Sequence, residues 1–326
     1  MSAFDLPSDL KAALARKAEG LSRSDTAKRA GTISETYRSG GTSAPIRAEA
    51  DALAYALTRM PATYAAIAAS LNALSERRPD FTPATLLDVG AGPATASWAA
   101  ARTFDSLTHF AAIDTNAALR ALACDTVNDS RLAAMRYVEG NVLAGLAAME
   151  SADLVIASYV INELGDADRT TLADLMWQKT RDTLLVIEPG TPAGYQRILA
   201  LRAHLIAHGA HVIAPCPHDN ACPLTPPDWC HFSQRLARSR AHKQIKGAEL
   251  PFEDERYSYV ALSRTLAPGH ISRILSQPTL TKIEVAAKLC TTAGLSRLAV
   301  PRRDKAGYAA ARRWNWGDAI ADKAAE

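Results

Sequence analysis

Four cysteines, Cys216, Cys222, Cys230 and Cys290, are the residues whose type and spacing point most directly to chemistry. The first three follow Cys-x5-Cys-x7-Cys, and Cys216 and Cys222 are each followed by proline. A thiol becomes a ligand only as the thiolate, which needs a positive partner or a metal, and soft thiolates select zinc, copper(I) or iron–sulfur centres. Left uncoordinated on a proline-rich loop, three such cysteines would be an oxidation hazard. Zinc ribbons use paired C-x2-C knuckles, and neither short interval here matches them. The wider spacing suits a 4Fe-4S cluster better, because four thiolates must surround a larger object. Zinc remains the alternative; His218 or His231 could supply a nitrogen in a three-cysteine site, but four thiolates suffice without them.

A second group lies upstream in LLDVGAGPATASWAA, where Asp88, Gly90 and Gly92 fall at the junction of an apolar run and a helical pattern. Glycines there let the backbone approach a ligand closely. Asp114 ends the next apolar run, HFAAIDT, 22 residues beyond Gly92. An acid in that place accepts hydrogen bonds from the ribose hydroxyls of an adenosine-type cofactor. Nicotinamide dinucleotides and S-adenosylmethionine both satisfy this much. They part at Thr95, where a dinucleotide fingerprint wants glycine or alanine for helix packing over a pyrophosphate. The loop instead resembles the D-x-G-x-G loop of class I S-adenosylmethionine-dependent methyltransferases. That resemblance implies that Asp88 orients the methionine amino group, Asp114 the ribose, and Asn141 with Val142 the adenine edge. No catalytic residue is assigned. SYVINEL lacks an Asn-Pro-Pro-Tyr type tetrapeptide, and Asn162 and Glu163 there read equally well as a helix cap. Cys124 sits in an Ala-Leu helix and reads as a small buried hydrophobe.

The elements that must hold these groups follow from the pattern. Residues 8 to 40 read as amphipathic helix ending in RSGGTSAP, and residues 46 to 76 as an Ala-rich helical stretch with a kink or new start at Pro61. From LLDVGAG to DTLLVIEPG, five short apolar runs alternate with helices, which implies a parallel sheet covered on both faces. After the helix AGYQRILALRAHLIAHGA, the segment APCPHDNACPLTPPDWC breaks the rhythm before YSYVALSR returns as a strand. The expected fold is therefore α/β, a class I methyltransferase-like (Rossmann-like) doubly wound sheet. Its expected parts are an N-terminal helical region over 1–80, an S-adenosylmethionine-binding Rossmann-like core over 81–212, and a cysteine-rich metal lobe with returning strands and a basic C-terminal tail over 213–326.

The chain has 326 residues, 48% hydrophobic and 22% charged, enough for one elaborated domain or two. Five cysteines are too few and too clustered for a disulfide scaffold, and MSAFDLPSDL carries two acids and no apolar core, so a reducing cytoplasm is expected. No run approaches the roughly 18 to 20 apolar residues of a membrane helix. The net charge of +3 is unevenly spread. Arg235, Arg238, Arg240, Lys243 and Lys246 form an acid-free run. Arg297, Arg302, Arg303, Lys305, Arg312 and Arg313 stand against Asp304 alone, beside Trp314 and Trp316. Basic patches on a near-neutral body point to a polyanionic partner.

Together, several stretches resemble the methyltransferase-like assembly factors of the small ribosomal subunit, known from mitochondria and with bacterial members. They are AYALTRMPATYAAI, LLDVGAGPATASWAA, VINEL, VIEPGTPAGY, APCPH, ACPL, WCHFSQR, YSYVALSR and the closing Trp316-Gly317-Asp318, spanning about residues 50 to 318. The resemblance implies a protein that engages small-subunit rRNA and small-subunit assembly intermediates. It also implies S-adenosylmethionine as a cofactor, and a 4Fe-4S cluster on Cys216, Cys222, Cys230 and Cys290. Ala94 departs from the pattern, since many relatives carry a further glycine there. Methyl transfer to rRNA is the competing expectation. Radical S-adenosylmethionine chemistry is disfavoured, because it needs three cysteines and an open iron in a different architecture.

Overall fold

A computed structural model describes residues 4–321, with the side chains of Arg240 and Ala241 left aside. The outermost residues of the expected 1–80 and 213–326 segments, and the Arg240 side chain of the first basic run, thus lie outside the described residues. Four helices come first: α1 (Ser8–Ala18), α2 (Arg23–Arg38), α3 (Glu49–Thr58) and α4 (Met60–Arg77). Pro61 opens α4, where its missing N–H costs nothing. Strands and helices then alternate: β1 (Thr85–Val89), α5 (Thr95–Thr103), β2 (His109–Asp114), α6 (Ala117–Val127), β3 (Arg136–Glu139), α7 (Val142–Gly145), β4 (Ala152–Ser158), α8 (Asp166–Lys179), β5 (Thr180–Pro189), α9 (Pro192–Ala207) and β6 (His211–Ala214). Next come β7 (Phe232–Ala237), α10 (Arg240–Lys246) and the long β8 (Phe252–Ser263). The chain closes with β9 (Ile271–Ile274), β10 (Thr279–Leu280), β11 (Glu284–Thr291), β12 (Gly294–Pro301), α11 (Lys305–Ala311) and β13 (Ala319–Ala321).

The larger sheet runs β3-β2-β1-β4-β5-β8-β6, parallel from β3 to β5, with β8 antiparallel between β5 and β6 and β7 paired to its first half. The apolar runs are buried on both faces because alternate side chains enter opposite layers. Leu86, Leu154, Ile156, Leu185 and Ile187 pack under α3, α4, α5 and α6, whereas Leu87, Val155, Leu184 and Val186 pack under α8 and α9. Helix α4 fits closely because Ala62, Ala65 and Ala66 let it approach, and Tyr64, Ile67, Leu71 and Leu74 are buried from it. Each of the larger side chains contributes about 1.5–3 kcal/mol of burial.

The N-terminal helices share one core with the sheet, so residues up to 80 form a layer of the main body. The boundary expected after residue 212 falls inside β6, and the sheet takes β8 from beyond it. The amino-acid pattern conceals this because a returning antiparallel strand is chemically indistinguishable from one belonging to a separate lobe. The second sheet, β10-β11-β9-β13 with β12 on β11, is built wholly from residues after 270.

Candidate functional site

A cleft of about 1420 Å³ opens at the C-terminal ends of β1, β2 and β4, where the strand order reverses. Ligands of open α/β sheets bind at such a switch point. Gly90 and Gly92 have φ of +68° and +52°. At Gly90 a Cβ would stand 2.5 Å from Val160 Cγ2, so the turn needs glycine for space as well as for conformation. The N–H groups of Gly90 and Ala91 donate to the Ile113 carbonyl, and Tyr137 Oη donates to the Gly92 carbonyl at 2.6 Å. Ala94, with φ +61°, occupies the left-handed conformation that glycine would take without strain.

Asp114 lines the cleft and accepts from Gly92 N at 2.9 Å and Asn116 N at 2.7 Å; burial pushes its carboxyl up while these N–H groups pull it down. Asn141 and Val142 line it too, but Asn141 Oδ1 accepts from Leu143 N and Ala144 N as the cap of α7. What is left for an adenine edge is Asn141 Nδ2 and the Val142 N–H, which has no partner inside the helix. Asp88 sits apart from these. It is fully buried and does not line the cleft; its Oδ2 accepts from Ser97 N at 3.0 Å and Ser97 Oγ at 2.8 Å. Burial pushes it up to about 7. It holds the loop from beneath through Oδ2, while its Oδ1 is buried without a partner among the described residues.

The opposite wall joins Asn162 and Glu163 of SYVINEL to Tyr159 and Arg59, to which no role is assigned from sequence. Tyr159, directly after β4, has φ +57°, a rare conformation for a bulky side chain and one that collects at functional sites. Its Oη donates to Glu255 at 3.1 Å, and Arg59 from the N-terminal layer pairs with the same carboxylate at 3.4 Å. Glu163 faces the cleft with its carboxyl pushed up to about 7 by burial, and Asn162 carries a buried Oδ1 without a partner.

Cys216, Cys222 and Cys230 lie on the loop between β6 and β7, and Cys290 lies on β11 of the second sheet. The four thiols converge. Burial is the main cause that pushes Cys290 up to about 12, Cys216 up, and Cys230 well up, and each of these thiols also feels others of the four as like charges. Yet no three of the four sulfurs lie within 4.8 Å of one another. Around them, Tyr195 Oη donates to Cys222 Sγ at 3.2 Å, and His218 Nε2 stands 3.6 Å from Cys290 Sγ. His231 instead stacks on Trp229 at 4.9 Å and meets Trp316 edge-on at 4.8 Å. Such a donor set can hold a thiolate-bound metal, whose positive charge reverses the burial effect on the thiols. Among the described residues, the trio whose ligand atoms do lie within 4.8 Å is Asp174, His204 and His208, which link α8 to α9.

The basic runs separate. Arg235 pairs with Asp254, and Arg238 and Lys246 with Glu253, so the run after Cys230 is largely neutralised by β8. Arg302, Arg303, Lys305, Arg312 and Arg313, around α11, are exposed and form no ion pair among the described residues.

This strand order, with its glycine loop at the switch point, defines a class I methyltransferase-like α/β fold. The chain belongs to the family described as mitochondrial small ribosomal subunit Rsm22, whose model matches residues 49–321. It is 29% identical to the ribosome assembly protein METTL17, mitochondrial, of Homo sapiens, over 82% of this chain and 62% of that protein. It is 23% identical to the Rsm22-cox11 tandem protein 2, mitochondrial, of Schizosaccharomyces pombe, over 82% of this chain and 42% of that one. The chain thus spans less than two thirds of the length of these relatives. A weak structural likeness extends to the magnesium protoporphyrin IX methyltransferase of Synechocystis PCC 6803 with bound SAH, at 8% identity, 63% of this chain, 84% of that chain and a TM-score of 0.41. The expectation of a cytoplasmic protein is corrected by these matches: family and relatives are described as mitochondrial. Unpaired thiols speak only for a reducing compartment, and the first ten residues are no guide to which. No helix among the described residues is long and apolar enough to cross a membrane.

Proposed function

We propose that this protein assists assembly of the small ribosomal subunit, binding S-adenosylmethionine in the cleft and a 4Fe-4S cluster on Cys216, Cys222, Cys230 and Cys290. Gly90 and Gly92 admit the cofactor, Asp114 receives the ribose, Val142 N–H and Asn141 Nδ2 meet the adenine, and Asp88 supports the loop. The observation that carries the cluster is the spread of the thiols. A tetrahedral zinc site needs its sulfurs about 3.8 Å apart, given Zn–S bonds of about 2.3 Å. Four thiolates that each bind a different iron stand further apart. Sulfurs that converge from two sheets but do not crowd within 4.8 Å suit the larger object. Anaerobic purification with iron, sulfide and zinc analysis tests this: about four irons and four sulfides per chain are expected, and one zinc without sulfide would overturn it.

The small-subunit rRNA is engaged, on this reading, through the exposed arginines and lysine around α11. Reversing Arg302, Arg303, Arg312 and Arg313 to Glu should weaken RNA binding and flatten its salt dependence, by up to about one logarithmic unit of slope for each phosphate no longer neutralised. An unchanged slope would count against this surface. Methyl transfer is the second reading, favoured by a cleft larger than the roughly 300–1,000 Å³ of ordinary small-molecule sites and by the strained Tyr159 on its wall. Labelled methyl transfer to small-subunit RNA or assembly intermediates decides it.

A further inference from the structure

Two arginines beside the four thiols have no structural counter-charge. Arg202 on α9 and Arg273 on β9 are 4% and 1% exposed. Arg202 Nη2 donates to the carbonyls of His218 at 2.7 Å and Asn220 at 2.9 Å. Arg273 Nε donates to Pro215 O at 2.9 Å and Nη1 to Gly317 O at 2.8 Å. Arg202 Nε and Arg273 Nη2 remain buried without an acceptor, and neither side chain forms an ion pair among the described residues. Arg77 places a further positive charge near Arg273. A buried guanidinium cannot escape by losing its proton, and burying it unpaired is strongly unfavourable. Asp219 lies near Arg202 but is already paired with His211, and the thiols are further groups there able to become anions: both arginines act electrostatically on Cys216 and Cys290, and Arg273 also on Cys230.

We propose that Arg202 and Arg273 are built-in counter-ions of the four-cysteine centre, matched to a dianionic metal site. The charge balance is explicit. Four thiols release four protons to solvent, and four thiolates around a [4Fe-4S]2+ core, or around Zn2+, leave a net charge of about −2. The two guanidinium groups nearest the thiols cancel it; Arg77 acts on Arg273 but on none of the thiols, and is left out of this balance. A pair of disulfides would leave both arginines unpaired, and a three-cysteine, one-histidine zinc site would leave one. The two residues also carry the charge into both sheets, since Arg202 anchors the cysteine loop to α9 and Arg273 joins β9 to Pro215. The inference rests on the metal-centre reading of the cysteines.

The test uses the full chain, loaded anaerobically with iron and sulfide, and the variants Arg202→Met, Arg273→Met, Arg202→Lys and Arg273→Lys. Each Met variant should bind metal about tenfold or more weakly, the range for groups that support metal ligands, and release it correspondingly faster to a chelator. The cluster in each Met variant should also show a lower midpoint potential, because a nearby positive charge favours the reduced form. The Lys variants should recover most of both effects. Wild-type loading with unmoved retention and potential in both Met variants overturns the inference while sparing the cluster. No metal uptake by the wild type overturns both. If the wild type carries zinc, chelator resistance of the same variants decides. Should a Met variant fail to fold, Arg→Gln against Arg→Lys replaces it, and equal metal release from both would show that charge is not what matters.

Discussion

Asp88 is a carboxyl that the fold keeps away from water, and its titration changes accordingly. Its ordinary value lies near 4 in the unfolded chain, whereas burial pushes it up to about 7 in the folded one. Between these values the folded protein holds the proton more tightly, so stability falls as pH rises from about 4 to about 7. Asp88→Asn keeps an oxygen for the two Ser97 donors and removes the titration. Its stability relative to wild type should therefore improve as pH rises from about 4 to about 7 and level off above, as urea midpoints would show; a parallel pair of curves would contradict the assignment. The two loop glycines divide differently. Gly90→Ala meets both a positive φ and Val160, while Gly92→Ala meets only the φ, its nearest neighbour being Leu119 Cδ1 at 3.7 Å. The first should cost about 2–4 kcal/mol and the second about 1–2 kcal/mol, measured by denaturant unfolding. Glycine at 90 and 92 was legible in the sequence because a positive φ restricts residue type there, and the acid at 114 because it ends an apolar run. The αL turn at Tyr159 was not, since nothing in SYVINEL marks a tyrosine whose conformation is imposed by neighbours on β5 and β8.

At the scale of elements, the cleft depends on how the N-terminal cover is fastened to the sheet. Asn116 caps α6 by accepting from Leu119 N at 3.0 Å, and its Nδ2 donates to Ser43 O at 3.3 Å and Ile46 O at 2.9 Å in the turn between α2 and α3. One side chain thus starts a helix and ties down the cover. Asn116→Ala should cost about 1–2 kcal/mol through the missing cap, and hydrogen exchange should rise over residues 38 to 48 more than in β1 or β4; uniform protection would show the tie to be unimportant. The alternation of apolar runs with helices revealed the five parallel strands, because a doubly covered strand has to be apolar throughout. It did not show that β8 inserts between β5 and β6, a matter of long-range pairing. Nor did counting charges show that β8 neutralises the basic run before it, for Glu253 and Asp254 meet Arg238 and Arg235 only across the β7–β8 register.

Across the whole molecule, the cysteines lie where the two sheets meet. Cys216, Cys222 and Cys230 hang from the edge of the larger sheet and Cys290 from the middle strand of the smaller one, so a centre on all four would be a cross-link between them. Protein contacts alone provide part of that joint: Lys288 pairs with Asp228 at 2.6 Å, and Arg273 reaches Pro215. The larger sheet has its own two-faced core and does not need the joint, whereas the second sheet is held by smaller clusters around Ile274, Ala287, Leu289, Val285 and Val300. Metal binding that assembles a site absent from the unfolded chain contributes its free energy to that part of the fold. Stripping the metal should therefore loosen residues 215–231 and 284–301 selectively. Limited proteolysis and hydrogen exchange on loaded and stripped protein should show cleavage and weaker protection there, with β1, β4 and β5 unchanged. Because the exposed arginines around α11 ride on the same second sheet, RNA affinity should fall with the metal even though none of these arginines is a ligand. Equal RNA affinity before and after stripping would separate the RNA surface from the cysteine centre.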